Sequence, residues 1–75
     1  MQEMVTKKLR VKPEEIAYLR FLIEGYEGIG TLTTLDPRGG MVGLSIPGSH
    51  QADAEEALRL IGRDITLEEI PTDPV

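Results

Sequence analysis

The spacing of apolar residues along this sequence switches repeatedly between a period of two, typical of a strand, and a period near 3.6, typical of a helix. Period two predicts strands over residues 4–11, 29–36, 41–46 and 65–70. Helical spacing predicts one helix starting at Pro13 and another starting at Ser49 or Asp53, where Asp53 and Glu56 have the spacing of a capping box. With right-handed crossovers, this order predicts an α+β fold, the ferredoxin-like βαββαβ sandwich: a four-stranded antiparallel sheet with two helices on one face.

The inward positions of this predicted sandwich are almost wholly hydrocarbon. The strands contribute Val5, Leu9, Val11, Val42, Leu44, Ile46, Ile65 and Leu67, and the helices contribute Ile16, Leu19, Leu22, Ile23, Tyr26, Ala54, Ala57, Leu58 and Ile61. Lys7 shares the apolar register, so its stem is expected to pack while its ammonium leaves at an end of the sheet. Ala17, Arg20, Phe21 and Glu24 are expected on the outward side of the first helix. Such filling leaves no space for chemistry beneath the sheet.

Three glycines, Gly25, Gly28 and Gly30, separate the first helix from the second strand. A phosphate-binding loop needs the reverse order, with glycines between a strand and the start of a helix. We therefore interpret the three as a turn. Gly25 or Gly28 ends the helix in a left-handed conformation, and Gly30 can also admit the close approach of a neighbouring chain at an edge strand.

The length and composition of the chain favour a homodimer. A chain of 75 residues buries only roughly 60% of the surface that it exposes when unfolded, and without cysteine it has no disulfide to add stability. We expect one domain over residues 1–75, with an ordered core over about 4–70 and a tail over 71–75 that has no reason to order. Pairing with a second copy is the remaining source of stability.

Charge and hydropathy exclude several partners. A net charge of −5 and a pI near 4.7 oppose contact with phosphates, and none of the three aromatic residues lies on a predicted strand, so we do not expect nucleic acid as a partner. No stretch is apolar over the roughly 20 residues that a bilayer span needs. The amino terminus also lacks the pattern of a signal peptide, so we expect a cytoplasmic protein with no membrane contact.

Few residues are candidates for ligand contact. Arg38, at the tip of the predicted hairpin turn, is the best single anion contact, and Ser49 beside His50 invites comparison with a nucleophile and its base. Adjacent loop residues rarely meet in hydrogen-bond geometry and no acid orients the ring, so we predict no catalytic site. A lone histidine predicts no metal site, and no cofactor is expected. The acidic pairs Glu55-Glu56 and Glu68-Glu69 are attributed to helix-dipole complementarity and solubility.

Two surfaces are candidates for a protein interface. Phe21 lies beside Ala17 on the polar side of the first helix, where a large apolar side chain suggests a contact surface unless a loop or the tail covers it. The rival is the uncovered face of the sheet, which is too apolar to be only a solvated surface and carries Met41, Gly43, Ser45, Thr6 and Ile70. The sequence leaves the choice between them open.

The stretches KPEEIAYLRFLIEGYEGIGTLTTLD, GGMVGLSIP and DAEEALRLIG, between Lys12 and Ile70, resemble a family of short, uncharacterised bacterial proteins grouped as a domain of unknown function. The resemblance implies an ACT-like, ferredoxin-like fold without an assigned activity. ACT domains are regulatory modules that pair through sheets or helices and often bind an amino acid where they meet. Their effector sites usually use a glycine between the first strand and the first helix, whereas Lys12, Pro13 and Glu14 stand there in this chain. The scaffold carries over, and amino-acid sensing does not follow.

We therefore expect a small non-catalytic module that forms a homodimer and acts through protein contacts or, in an ACT-like regulatory role, through a small-molecule effector. A second hypothesis is a small enzyme of the dimeric α+β barrel type, with an acid or His50 working beneath the sheet. A third is RNA binding on the sheet face through Lys8 and Arg10, which the net charge disfavours.

Overall fold

A computed structural model describes residues 4–26 and 28–71. The regular elements are β1 (Met4–Arg10), a 3-10 turn (Pro13–Glu15), α1 (Ile16–Glu24), β2 (Thr31–Asp36), β3 (Met41–Pro47), a second 3-10 turn (Gly48–His50), α2 (Gln51–Ile61) and β4 (Glu68–Ile70). The strands form one sheet in the order β2-β3-β1-β4, and every neighbouring pair is antiparallel. This is the predicted ferredoxin-like α+β fold. The predicted tail beyond Pro71 lies outside the described residues.

One hydrophobic core lies between the sheet and the two helices. Val5 pairs with Ile46 and Leu9 pairs with Val42, and partners in an antiparallel ladder point to the same side of the sheet. The buried core consists of Leu9, Val11, Leu19, Ile23, Ile29, Leu32, Val42, Leu44, Ile46, Ala54, Ala57, Ile61 and Ile65. Because α1 and α2 both contribute to this one cluster, both helices cover the same face of the sheet.

Helix α2 starts differently from the capping prediction, whereas the path into α1 starts where it was predicted. The predicted capping box of Asp53 and Glu56 is wrong, because the turn Gly48–His50 already begins the helical path and places Asp53 inside the first turn of α2. Ser49 does not cap α2 either, since His50 occupies the N-cap position and makes no side-chain cap hydrogen bond. Helix α1 follows a 3-10 turn that begins at Pro13, as the proline predicts.

The end of α1 corrects one prediction about the glycines. Gly25 does end the helix, but with φ −74° it remains right-handed, and its N–H donates to the carbonyls of Phe21 and Leu22 at 3.2 and 3.1 Å. The left-handed residue is Gly28, with φ +81°, further along the connection. Helix α1 therefore closes with helical hydrogen bonds, and the chain reverses direction only after Gly25.

Two strands are shorter than the period-two pattern predicts. Strand β2 begins at Thr31 instead of Ile29, and β4 begins at Glu68 instead of Ile65. Ile29 and Ile65 are nevertheless buried, so their hydrocarbon anchors the connections to the core rather than extending the ladders. The register of β2 on β3 also shifts between Thr34 and Asp36, which leaves a bulge at Leu35.

Gly30, like Gly40, is a position where the chain needs the absence of a side chain. Its φ is +150°, and a Cβ at this position would collide with the backbone carbonyl of Ser45 in β3. The close approach at Gly30 is made by this chain's own β3, whereas the sequence suggested a neighbouring chain there. A turn accounts for Gly28 and Gly30, as the order of helix, glycines and strand predicts.

Gly30→Ala is expected to lower the free energy of unfolding by about 2 kcal/mol or more. Alanine is strained at φ +150°, and its Cβ would also collide with the backbone carbonyl of Ser45. Gly62→Ala is the matched control. Gly62 has φ −63° at the end of α2, which alanine adopts without strain, and its Cβ would stand 3.3 Å from the carbonyl oxygen of Leu58, so this variant should change stability by less than about 1 kcal/mol. Urea unfolding of both variants tests the account, and equal midpoints would contradict it.

Candidate functional site

All the aromatic residues of the chain lie outside the core. The sequence contains one phenylalanine, two tyrosines and no tryptophan. Phe21 is 70% exposed, Tyr18 46% and Tyr26 38%, although large aromatic rings usually dominate the burial of a small domain. The aromatic hydrocarbon of this protein is therefore available to something outside the chain.

The rings of Tyr18, Phe21 and Tyr26 lie on one surface at α1 and the turn that follows it. Residues three or four apart share a face of a helix, so Ala17 and Tyr18 lie one turn before Phe21, and Gly25 lies one turn after it. Tyr26 follows directly. We call Ala17, Tyr18, Phe21, Gly25 and Tyr26 the α1 aromatic surface, and all five residues are exposed.

The α1 aromatic surface is not flat. A depression of about 400 Å³ lies at the carboxyl end of α1 and is lined by Phe21, Leu22, Glu24, Gly25 and Tyr26. Its walls are mainly hydrocarbon with one carboxylate at the rim. A side chain of moderate size from another molecule would fit this space.

The exposure of Tyr26 contradicts its predicted place in the core. Helix α1 ends at Glu24, and the N–H of Tyr26 donates to the carbonyl of Ile23 at 3.0 Å in the turn that follows. The helical projection that placed Tyr26 beside Ile23 therefore no longer applies. Tyr26 joins Phe21 on the outside instead.

The other side of α1 covers an edge of the sheet. Arg20, predicted to face outward, is partly buried and donates through Nη1 to the carbonyl of Leu32 at 3.1 Å and through Nη2 to Oγ1 of Thr34 at 3.1 Å. Because β2 is an edge strand, the bond to Leu32 occupies a backbone carbonyl that an added strand would need, and the bond to Thr34 holds the guanidinium along this edge. The opposite edge strand, β4, is only three residues long and carries Glu68 and Glu69.

The open face of the sheet is more mixed than the α1 aromatic surface. Met41 and Ile70 are partly exposed, whereas Gly43 is buried beneath Leu35, whose Cδ1 would lie 3.4 Å from a Cβ at Gly43. The register places Thr6, Ser45 and Thr31 side by side across three strands, and Lys8, Gly43 and Thr33 in another row. Hydroxyl groups therefore interrupt the apolar side chains of this face.

A charged groove lies between the β1–β4 edge and α2. Lys7 pairs in register with Leu44 and so points toward the helices, and its side chain is only 16% exposed. Its ammonium lies 3.1 Å from Oε1 of Glu69 and 4.0 Å from Oε2 of Glu55. The ammonium thus bridges β4 and α2.

This groove has a volume of about 460 Å³ and is lined by Lys7, Leu9, Glu55, Leu58, Arg59, Leu67 and Glu69. Sequence reasoning named none of the charged members as site residues, and it attributed Glu55 and Glu69 to solubility. The available signal was the lysine in an apolar register. Leu9 and Leu67, two of the predicted inward residues, line this groove. The prediction that hydrocarbon leaves no space between the sheet and the helices is therefore wrong at this edge.

Ser49 and His50 do meet, which corrects the prediction about adjacent loop residues. Oγ of Ser49 lies 3.1 Å from Nδ1 of His50, because the 3-10 turn places the two side chains together. The Nε2 of His50 packs against Gly28, 3.4 Å from where a Cβ would stand. Within residues 4–26 and 28–71, no carboxylate forms an ion pair with this ring. The imidazole rests on the α1–β2 turn.

Arg38 lies apart from this pair. It is exposed in the turn before β3, whereas Ser49 and His50 follow the end of β3, so the seven residues of the strand separate them, a length of roughly 20 Å. The structure therefore does not bring the predicted ligand contacts together.

The described part of the chain holds no group of three or more histidine, aspartate and glutamate side chains that could bind a metal. Among the same residues, no helix is long and apolar enough to cross a bilayer.

Comparison with known protein families matches residues 9–65 to the family described as Domain of unknown function (DUF4911). No curated protein and no solved structure matches the chain. The matched stretch contains the whole α1 aromatic surface, whereas Lys7 and Glu69 of the charged groove lie outside it.

Arg20→Ala is expected to lower the free energy of unfolding by about 1–2 kcal/mol, because it removes two hydrogen bonds and uncovers the edge of β2. Arg38→Ala removes the same side chain from an exposed turn and should change stability by less than about 0.5 kcal/mol. Guanidinium unfolding compares the two variants. Equal losses would mean that Arg20 does not hold α1 against the edge strand.

Proposed function

We propose that this chain, which belongs to the family DUF4911, is a small non-catalytic module. It pairs with a second copy of itself and acts through protein contacts. The single observation that supports this proposal is the exposure of every aromatic residue on the α1 aromatic surface. Interfaces are enriched in phenylalanine and tyrosine, and a few such residues usually supply most of the binding energy.

The alternatives for pairing are weaker on physical grounds. Arg20 covers the β2 edge, and β4 is short and acidic, so addition of a strand is disfavoured at both edges. On the open face, the row formed by Thr6, Ser45 and Thr31 would have to lose water without a matched set of partners. On α1, the rings carry only two hydroxyl groups, those of Tyr18 and Tyr26, that would need partners on burial.

A catalytic role beneath the sheet has less support. Val42, Leu44 and Ile46 are fully buried and fill the space under β3 with hydrocarbon. Enzymes of the dimeric α+β barrel type would need an acid or His50 in that space. His50 lies on the α1–β2 turn, and the acids of the charged groove, Glu55 and Glu69, are more than half exposed. RNA binding through Lys8 and Arg10 remains disfavoured by the net charge of −5, and Arg10 lies 3.4 Å from a carboxylate of Glu68.

The charged groove supports a second candidate function, the ACT-like regulatory binding of a small molecule. Lys7 and Arg59 can attract a carboxylate, Glu55 and Glu69 can attract an ammonium, and Leu58 and Leu67 offer hydrocarbon between them. A volume of about 460 Å³ lies within the range of small-ligand sites. A small molecule that carries both charges beside a hydrocarbon group matches this lining.

Phe21→Ser is expected to weaken self-association by about 30-fold or more, since loss of a central aromatic anchor costs about 2 kcal/mol. Sedimentation equilibrium at micromolar concentrations should give twice the 8.3 kDa chain mass for the wild type and a mass near that of one chain for the variant. Leu60→Ser is the matched control, because Leu60 is an exposed apolar residue on α2. It should leave the mass unchanged.

A monomeric wild type at about 100 µM would contradict the pairing proposal. A Phe21→Ser variant that keeps the dimer mass would move the interface away from α1.

For the groove, leucine and glutamate are expected to raise the melting temperature in proportion to the logarithm of their concentration, by about 10 °C or more at a hundredfold excess over the dissociation constant. Isovalerate and isoamylamine, which each carry one charge, should have little effect. Lys7→Met retains the packed stem without the ammonium and should abolish the shift. No shift with either amino acid, or the same shift in Lys7→Met, would exclude this use of the groove.

A further inference from the structure

The exposed face of α1 has a pattern that is symmetric about Phe21. Ala17 precedes Phe21 by four residues and Gly25 follows it by four, so the three lie in one row along the helix. Gly25 keeps helical angles, φ −74° and ψ −16°, and so continues this row. A large ring is therefore flanked at equal distances by the two smallest side chains.

This symmetry matches a second copy in one orientation. In an antiparallel pair of helices related by a twofold axis at Phe21, each residue before Phe21 lies opposite the residue equally far after it in the partner. Ala17 then lies opposite Gly25 of the partner subunit, and Phe21 lies against Phe21 of the partner subunit. Small side chains opposite each other let the helix axes approach within the usual 8–10 Å while the rings meet at the centre.

Charge selects the same orientation. Tyr18 stands three residues before Phe21 and Glu24 stands three residues after it, so the antiparallel pair places the Tyr18 hydroxyl opposite the partner's Glu24. The hydroxyl can donate a hydrogen bond to that carboxylate. A parallel pair would instead set Glu24 opposite the partner's Glu24, where like charges repel.

The exposed rings supply about half of the area that a stable dimer needs. An aromatic side chain buries about 150–250 Å² when fully covered. With Tyr18 46%, Phe21 70% and Tyr26 38% exposed, the rings alone offer roughly 300 Å² per copy, or about half of the 1,200 Å² total at the lower limit for stable interfaces. The depression beside Phe21, about 400 Å³, gives the partner's side chains a place to enter.

We infer that two copies of this chain pack α1 against α1 in antiparallel orientation about a twofold axis at Phe21, with Ala17 of each copy against Gly25 of the other. This inference rests on the proposed function, because it specifies how the proposed pair is built. The partner of the α1 aromatic surface is then the same surface of a second copy.

Cysteine cross-linking tests the orientation directly, because the chain has no native cysteine. Ala17→Cys and Gly25→Cys are mixed in equal amounts under mild oxidation, and mass spectrometry separates the mixed disulfide from the two symmetric ones. The mixed disulfide should form at least about tenfold faster than either symmetric disulfide, since a disulfide needs Cα atoms within about 7 Å. Thr33→Cys, on the open face of the sheet, is the control and should cross-link slowly.

Each other outcome overturns the inference in a distinguishable way. Self-linking of Ala17→Cys as fast as the mixed pair would indicate a parallel pair, and dominant self-linking of Thr33→Cys would indicate pairing through the open face. Sedimentation of the reduced variants distinguishes failure of the proposed orientation from failure of the proposed pairing. A dimer that gives no mixed disulfide contradicts only the orientation, whereas a monomer contradicts the proposed function as well.

Discussion

The antiparallel ladder between β1 and β3 is the interaction on which the rest of this fold depends. It runs the whole length of both strands, from Met4 opposite Pro47 to Arg10 opposite Met41. Its register directs Val42, Leu44 and Ile46 to one side, where all three are fully buried. Both helices are held by that strip of hydrocarbon, and β2 and β4 add to the ladder on either flank. A shift of one residue would turn this strip toward solvent.

The core that results is aliphatic throughout, and this has a functional consequence. Leucine, isoleucine, valine and alanine fill the interior of the described chain, so none of the rings is needed there. The rings instead lie on α1, whose opposite side is fixed to β2 by Arg20. The helix that presents the apolar surface is thus also tied to the sheet by two hydrogen bonds. A rigid aromatic surface loses little entropy on binding, which suits it to a protein interface.

The sequence was sufficient to predict the order of elements and the inward side of the strands, because hydrophobic period is a local property. It also identified Phe21 and Ala17 as candidate contacts. Sequence-based prediction failed where contacts between residues far apart in the sequence determine the structure. Tyr26 was placed in the core because the projection continued a helix that ends at Glu24, and the groove around Lys7 was missed because it needs Glu69, which is 62 residues away. The contact between Ser49 and His50 depends on a 3-10 turn that composition does not signal.

Concentration-dependent NMR of the single phenylalanine tests the central claim most directly, because its ring resonances need no assignment. Between about 10 µM and 1 mM protein, the Phe21 ring signals should move along one binding curve, while the methyl signals of Met41 on the open face stay in place. Phe21 signals that do not change, combined with a shift at Met41, would show that the chain pairs through its sheet and would contradict the account.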